Sequence, residues 1–216
     1  KSLLKYNNSF LTKYMLDTRP WAEFVSTTDY IFVLHDDSHS RCFAEEYLHR
    51  WYKDCKVVFI SNFACGAAVS VIAGLSQVRN FDEPLVIDLA DIYIESPIPE
   101  IISSDICSHY ISLPVFDSAN PKYSYVSVQT NTNSLLSVAE KDVISSIATT
   151  GIYIFSSASL YLFVASRGLC IDSKACHNEL FYIAPLLNYL DDDHKSKVDI
   201  VQCTFTDDPS ESFADL

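Results

Sequence analysis

Apolar and polar positions in the first half of the chain alternate between short apolar runs and longer stretches with apolar residues three or four apart. Asp29 to Leu34 is a short apolar run, long enough for a strand and too short for a typical helix. Ser40 can cap the helix that follows, where Phe43, Tyr47, Leu48 and Trp51 share one face. Lys56 to Ile60 is a second strand. Gly66 then opens a helix to about Val78, with Ala68, Val69, Ile72, Leu75 and Val78 turned inward. Pro84 to Ala90 is a third strand. This strand–helix rhythm predicts an α/β chain with a mostly parallel, mixed sheet and helices on both faces.

The second half changes style. Cys107 to Leu113 predicts a strand that ends at Pro114. Tyr123 to Gln129 and Leu135 to Ala139 flank the polar loop Thr130-Asn131-Thr132-Asn133-Ser134 and predict a hairpin. Gly151 to Phe155 is another strand, and Ser157 to Arg167 is a helix with Gly168 as its terminator. Asn178 to Leu190 predicts a helix bent at Pro185, and Val198 to Phe205 a last strand. Asp191-Asp192-Asp193 reads as a solvated helix end, although acids at a carboxyl end oppose the helix dipole. With no repeat, and with Ala119-Asn120-Pro121 a loop and not a boundary, residues 1–216 are expected to form a single domain.

Composition narrows the partners. About half the residues (49%) are apolar, enough for a sizeable core. No apolar stretch approaches the ~20 residues of a membrane span, and the start, Lys1-Ser2-Leu3-Leu4-Lys5, has no signal-peptide core. A net charge of −13 argues against nucleic acid and against anionic lipid. An anionic substrate would need local cations or a metal. The seven cysteines are scattered, without a C-x-x-C pair, and predict buried free thiols in a reducing, cytoplasmic compartment. Cys170, Cys176 and His177 lack the spacing of common zinc sites. Only four glycines are present, where average usage would give about fifteen, so no glycine-rich phosphate loop can be written from these residues.

One carboxylate stands out. The run from Pro84 ends in Asp91, and a doubly buried strand has no reason of its own to end in an acid. Ligands in open α/β sheets lie beyond the carboxyl ends of strands, where an acid can hold a divalent cation and, through it, a phosphate chain. Asp91 is therefore the leading catalytic candidate, against the plainer reading of a turn or cap. Asp88, three residues earlier, faces the other side of a strand and is expected to be structural. His35-Asp36-Asp37-Ser38-His39 follows a strand and reads as a polar loop.

Several segments together resemble the sugar-1-phosphate nucleotidyltransferases, the family of glucose-1-phosphate thymidylyltransferase and its capsule-biosynthesis relatives. Phe81-Asp82-Glu83-Pro84 through Asp91 is similar to the strand and metal-binding aspartate of that family. Cys65-Gly66-Ala67-Ala68 resembles its Gly-Ala helix start facing the nucleobase. The stretch from Tyr123 to Glu140-Lys141 resembles its hairpin ending in a sugar-binding Glu-Lys pair. Ala148-Thr149-Thr150-Gly151-Ile152-Tyr153-Ile154-Phe155 and Asn178-Glu179-Leu180-Phe181-Tyr182 resemble two later motifs, in the family's order.

The resemblance implies a Rossmann-like, three-layer α/β/α (GT-A-like) fold. It also implies transfer of a nucleotidyl group from a nucleoside triphosphate to a sugar 1-phosphate or a related phosphorylated metabolite. Asp91 and Lys141 would be catalytic, with Asp91 and Asp207 holding Mg2+. Gly66 and Ala67 would meet the base; Glu140, Lys141, Thr150 and Gly151 would meet the sugar phosphate. Plainer readings stand beside these: an exposed pair at a hairpin end for Glu140-Lys141, helix packing for Gly66, a bulge or tight approach for Gly151. The chain departs from the family in lacking its N-terminal glycine-rich signature, and Lys1-Ser2-Leu3-Leu4 resembles that signature's far end. The departure implies either a larger polypeptide or a non-catalytic regulatory or binding relative. A homo-oligomer is compatible with either.

Overall fold

In the computed structural model, residues 3, 5–6, 9–23, 25–61, 65–90, 110–170 and 175–203 are described. Contacts along the chain gather into two compact units, Lys1–Asn80 and Phe81–Leu216.

The first unit carries α1 (Leu11–Asp17), β1 (Ile31–His35), a helical run α2, β2 (Lys56–Ile60) and α3 (Ala67–Leu75). The run α2 opens as Ser38–Phe43, passes through a π-helical turn at Ala44–Leu48 and ends as His49–Trp51. β1 and β2 pair in parallel from Ile31↔Lys56 to His35↔Ile60, and α2 is the crossover that parallel strands require. Its cap is Asp37 and not Ser40. The Asp37 carboxylate accepts the Ser40 N–H at 2.7 Å, and that bond holds the carboxyl below its ordinary range. Phe43 and Trp51 fall on the expected face with Tyr47, and Phe10 packs against Tyr47 and Trp51 at 5.3 and 5.5 Å between ring centres.

The second unit is built on a seven-stranded sheet. Its strands are β3 (Leu85–Asp88), β4 (Ile111–Asp117), β5 (Ser124–Val128), β6 (Leu135–Glu140), β7 (Ile147–Thr149), β8 (Ile152–Phe155) and, after two short strands, β11 (Val198–Gln202). The mostly parallel sheet expected from the sequence is not what forms. β4 and β11 are parallel, while β3–β8, β8–β4, β4–β7, β7–β5 and β5–β6 are antiparallel. The reason lies in the connections. β5 and β6 are joined by a tight polar turn that cannot carry the crossover a parallel pair needs, and β7 and β8, which continue one line of chain across Thr150-Gly151, both run antiparallel to β4.

Other expectations shift for local reasons. β4 runs through Pro114 instead of ending there. The Pro114 carbonyl accepts from the Thr150 N–H and hydroxyl at 3.2 and 3.1 Å. On that side the ladder is already interrupted, so the missing proline N–H removes no strand bond. The helix expected over 178–190 is instead a small hairpin of β9 (Cys176–His177) and β10 (Leu180–Phe181), followed by a 3-10 helix, Ala184–Tyr189. Asn178 and Glu179 both take positive φ (51° and 63°), the conformation of a tight hairpin turn. Pro185 sits in the first turn of the 3-10 helix, where its absent N–H costs nothing. Asp191 caps α5 (Asp192–Lys195) by accepting the His194 N–H at 2.9 Å, so the three acids stand at a helix start, where the dipole favours them.

The core of this unit is packed by α4 (Ala158–Gly168), capped by the Ser157 hydroxyl on the Leu160 N–H at 3.1 Å. Tyr161 meets Phe155 edge-on at 5.4 Å. Gly168 is the last helical residue, and its role is packing: a Cβ there would lie 2.6 Å from Leu186 Cδ2 and 2.9 Å from Tyr189 Cδ2. Gly168→Ala should therefore destabilise the fold by about 1–3 kcal/mol, read as a lower urea midpoint at an unchanged denaturant slope. At the sheet edge, the Asn188 side-chain amide imitates a strand. It accepts from the Val138 N–H at 2.9 Å and donates to the Val138 carbonyl at 2.7 Å, which occupies β6 edge groups that could otherwise recruit another chain.

Of the described cysteines, all free, Cys55 and Cys203 are buried as expected, but Cys42, Cys65 and Cys170 are exposed. No described helix is long and apolar enough to cross a membrane.

Candidate active site

The sheet of the second unit forks. β7 and β8 are one line of chain broken at Thr150-Gly151, with β4 along one side of both. On the other side the partner changes: Tyr125 of β5 pairs with Ala148, whereas β3 pairs with β8 from Asp88↔Ile152 to Leu85↔Phe155. The break is made by Gly151, at φ 78°, a conformation that favours glycine. Its carbonyl accepts the Leu89 N–H at 3.1 Å, which brings the carboxyl end of β3 to the fork. Thr150 is buried, with its hydroxyl on Pro114. Its N–H and hydroxyl both donate to the Pro114 carbonyl, which ties the break to β4.

The carboxyl end of β6 reaches the other side of the fork. Glu140 pairs with Ser124. Because Tyr125 faces both Ala139 and Ala148, the same register sets Glu140, Ser124 and Thr149 side by side across three strands. The Ser124 hydroxyl donates to the half-buried Glu140 carboxylate. Burial pushes the Glu140 carboxyl above its ordinary value, against the pull of the Ser124 hydrogen bond and of the charges on Lys141 and His177.

In extended chain Lys141 would point away from Glu140. It does not continue the strand: Lys141 has φ 55°, uncommon for a residue with a side chain, fixed by its N–H on the Tyr123 carbonyl at 3.1 Å. Its ammonium donates to the Tyr182 hydroxyl at 3.3 Å and lies 5.3 Å from the centre of that ring. His177, on β9, meets the same ring at 6.2 Å. Tyr182 and His177 are the residues that the sequence did not mark for the site; they are delivered by the turn at Asn178-Glu179, which has no glycine to signal its positive φ values.

This geometry sets a test. The folded chain holds the Glu140 proton more tightly than the unfolded chain does, so the stability tied to it is complete at low pH and is lost as pH rises through the raised value. At neutral pH the ionised Glu140 is a net cost. Glu140→Gln should raise Tm at neutral pH, with the gain vanishing on acidification, while weakening any ligand that donates hydrogen bonds to the carboxylate. Thermal melts across pH, read beside ligand titration, check both halves.

Gly66 and Ala67 open α3 in the first unit, with Gly66 at φ 97° and, among the described residues, no side chain capping the helix there. Asp91 and Asp207 lie outside the described residues. Asp88 has the structural role expected of it, its carboxylate accepting the Ala90 N–H at 2.8 Å where Ala90 takes φ 54°. The polar loop expected over His35–His39 shrinks to Asp36 and Asp37: His35 ends β1, Ser38 and His39 open α2, Asp37 caps that helix and Asp36 pairs with Arg41. Among the described residues, no group of three His, Cys, Asp or Glu side chains is placed to hold a metal ion.

Solved structures share this fold. A nucleoside-diphosphate-sugar pyrophosphorylase from Vibrio cholerae RC9 superimposes with a TM-score of 0.75 over 94% of this chain and 84% of its own, at 18% identity. The chain has its fold. The same architecture is found in a UDP-glucose pyrophosphorylase complexed with UDP-glucose, with a TM-score of 0.61 over 95% of this chain and 82% of that one, at 16% identity. It is found again in the inositol-1-phosphate CTP transferase from T. maritima, with a TM-score of 0.61 over 94% and 76%, at 17% identity. No family model and no curated sequence matches the chain. The likeness is thus one of architecture, at 16–18% sequence identity.

Proposed function

We propose that this chain is a nucleotidyltransferase domain. It would transfer a nucleotidyl group from a nucleoside triphosphate to a sugar 1-phosphate, or to a related phosphorylated metabolite, in the cytoplasm. The reading carries with it the Rossmann-like, three-layer GT-A-like plan. One observation supports it above the rest: a half-buried acceptor carboxylate, Glu140, and an ammonium, Lys141, are turned to one end of a forked sheet by a left-handed lysine.

The chemistry is a substitution at phosphorus. An oxygen of the acceptor's phosphate attacks the α-phosphorus; the bond from that phosphorus to the bridging oxygen of the β-phosphate breaks, and pyrophosphate leaves with the electron pair. Such a reaction asks the protein for positioning and charge neutralisation more than for covalent chemistry. Lys141 would take the acceptor's phosphate. Glu140 would accept hydrogen bonds from its hydroxyls, and Gly151 would let it approach the backbone. Gly66 and Ala67 would meet the base. Asp91 with Asp207 would hold Mg2+, for which two carboxylates and substrate phosphates are a suitable donor set. Bound there, the ion would neutralise charge on the phosphates.

The test is a panel of nucleoside triphosphates and sugar phosphates assayed for pyrophosphate release with the full-length gene product. Release with at least one pair is expected. Binding without release across the panel would leave a non-catalytic binding domain in its place.

A further inference from the structure

The function proposed above gives Lys141 a task, and the fold surrounds that lysine in a way the task does not require of any lysine. A free lysine side chain samples many rotamers, and part of that freedom is lost each time an anion is gripped. Here both ends of the residue are already held: the backbone N–H on the Tyr123 carbonyl at 3.1 Å, and the ammonium on the Tyr182 hydroxyl at 3.3 Å and over the ring at 5.3 Å. A neutral phenol orients an ammonium without cancelling its charge, and the ring face adds a weak electrostatic attraction. A carboxylate in the same place would compete with a phosphate.

Tyr182 is itself fixed. Its N–H donates to the Ala175 carbonyl at 3.0 Å, and its ring meets His177 at 72° between planes. It follows directly on the β9–β10 hairpin, whose turn is set by two residues at positive φ.

We propose that Tyr182 is a positioning residue, holding the Lys141 ammonium in place to receive the phosphate of a phosphomonoester acceptor. This rests on the nucleotidyl-transfer reading for its biological meaning but not for its test. In the full-length protein, inorganic phosphate is titrated by calorimetry into wild type, Tyr182→Phe, Tyr182→Leu, Lys141→Ala and the double variant Lys141→Ala/Tyr182→Phe. Tyr182→Phe keeps the ring and should weaken phosphate about three- to tenfold; Tyr182→Leu should weaken it further. In the double variant the Tyr182 change should have no additional effect, because it acts through Lys141.

With the acceptor found active in the panel, Tyr182→Phe should raise its KM while the nucleotide KM and kcat stay as in wild type. An unchanged phosphate affinity in Tyr182→Phe, a full additional loss in the double variant, or no phosphate binding by wild type would overturn the proposal. Coupled phosphate binding in a protein that releases no pyrophosphate would sink the transfer reading and leave this inference standing.

Discussion

Asp91→Asn should abolish pyrophosphate release while leaving the melting temperature where it was. The expected loss in kcat/KM is on the order of 10³-fold or more, because removing one of the charges that would hold Mg2+ forfeits several kcal/mol of transition-state charge stabilisation. The reasoning starts from the chain's path. β3 is an apolar strand that ends at Asp88, and its next N–H, on Leu89, is tied to the Gly151 carbonyl at the fork. Asp88 then caps a sharp left-handed turn at Ala90, and Asp91 follows. On the nucleotidyl-transfer reading, Asp91 would be the carboxylate that holds the cation and, through it, the phosphates. Asparagine keeps the size and loses the charge, so a purely structural cap would tolerate the exchange. Two measurements settle it: pyrophosphate release, and nucleotide binding with and without Mg2+. An Asp91→Asn variant that turns over like wild type, or whose nucleotide binding keeps its full response to Mg2+, would remove Asp91 from the site.

Much of the fold was legible in the residues, and the failures have a common cause. Lys56–Ile60 forms as a strand over the span that its apolar run predicts, and the turn at 130–134 joins the two strands expected to flank it. Periodicity marks where a strand exists but not which neighbour it takes; that is decided by the length of the link. The turn at 130–134 is too short for a crossover, and β5 and β6 pair antiparallel. At 178–190 a helical period was present, but Asn178 and Glu179 take φ > 0 without a glycine to signal it.

The site was legible to a similar depth. Glu140 and Lys141 could be found as a pair, and the conflict between their directions could be seen. The left-handed Lys141 that resolves it could not be seen, since that conformation is imposed by the Tyr123 carbonyl. Tyr182, 41 residues further on, is brought to Lys141 by a hairpin whose turn chemistry is hidden. Gly66 and Ala67 were legible as a helix start, and their α3 helix forms in the first unit.

Lys141→Ala is the second large effect. A charge-assisted hydrogen bond from an ammonium to a phosphate is stronger than a neutral one and contributes about 1.5–3 kcal/mol. Loss of the side chain should therefore raise the acceptor's KM by roughly 10- to 100-fold. In a protein of net charge −13 the local consequence is sharper than for a typical surface lysine, because the anion would then face Glu140 with no ammonium beside it. Nucleotide affinity should change far less, since the base is expected to meet Gly66 and Ala67 and the triphosphate to meet the metal. Folding should be nearly unaffected: the Lys141 side chain is exposed, and alanine can adopt the same positive φ at modest cost. Substrate-specific kinetics make the comparison, with each substrate varied at saturating levels of the other. Equal losses for acceptor and nucleotide would show that Lys141 serves the triphosphate, and the acceptor's phosphate would then have to be sought elsewhere along the fork.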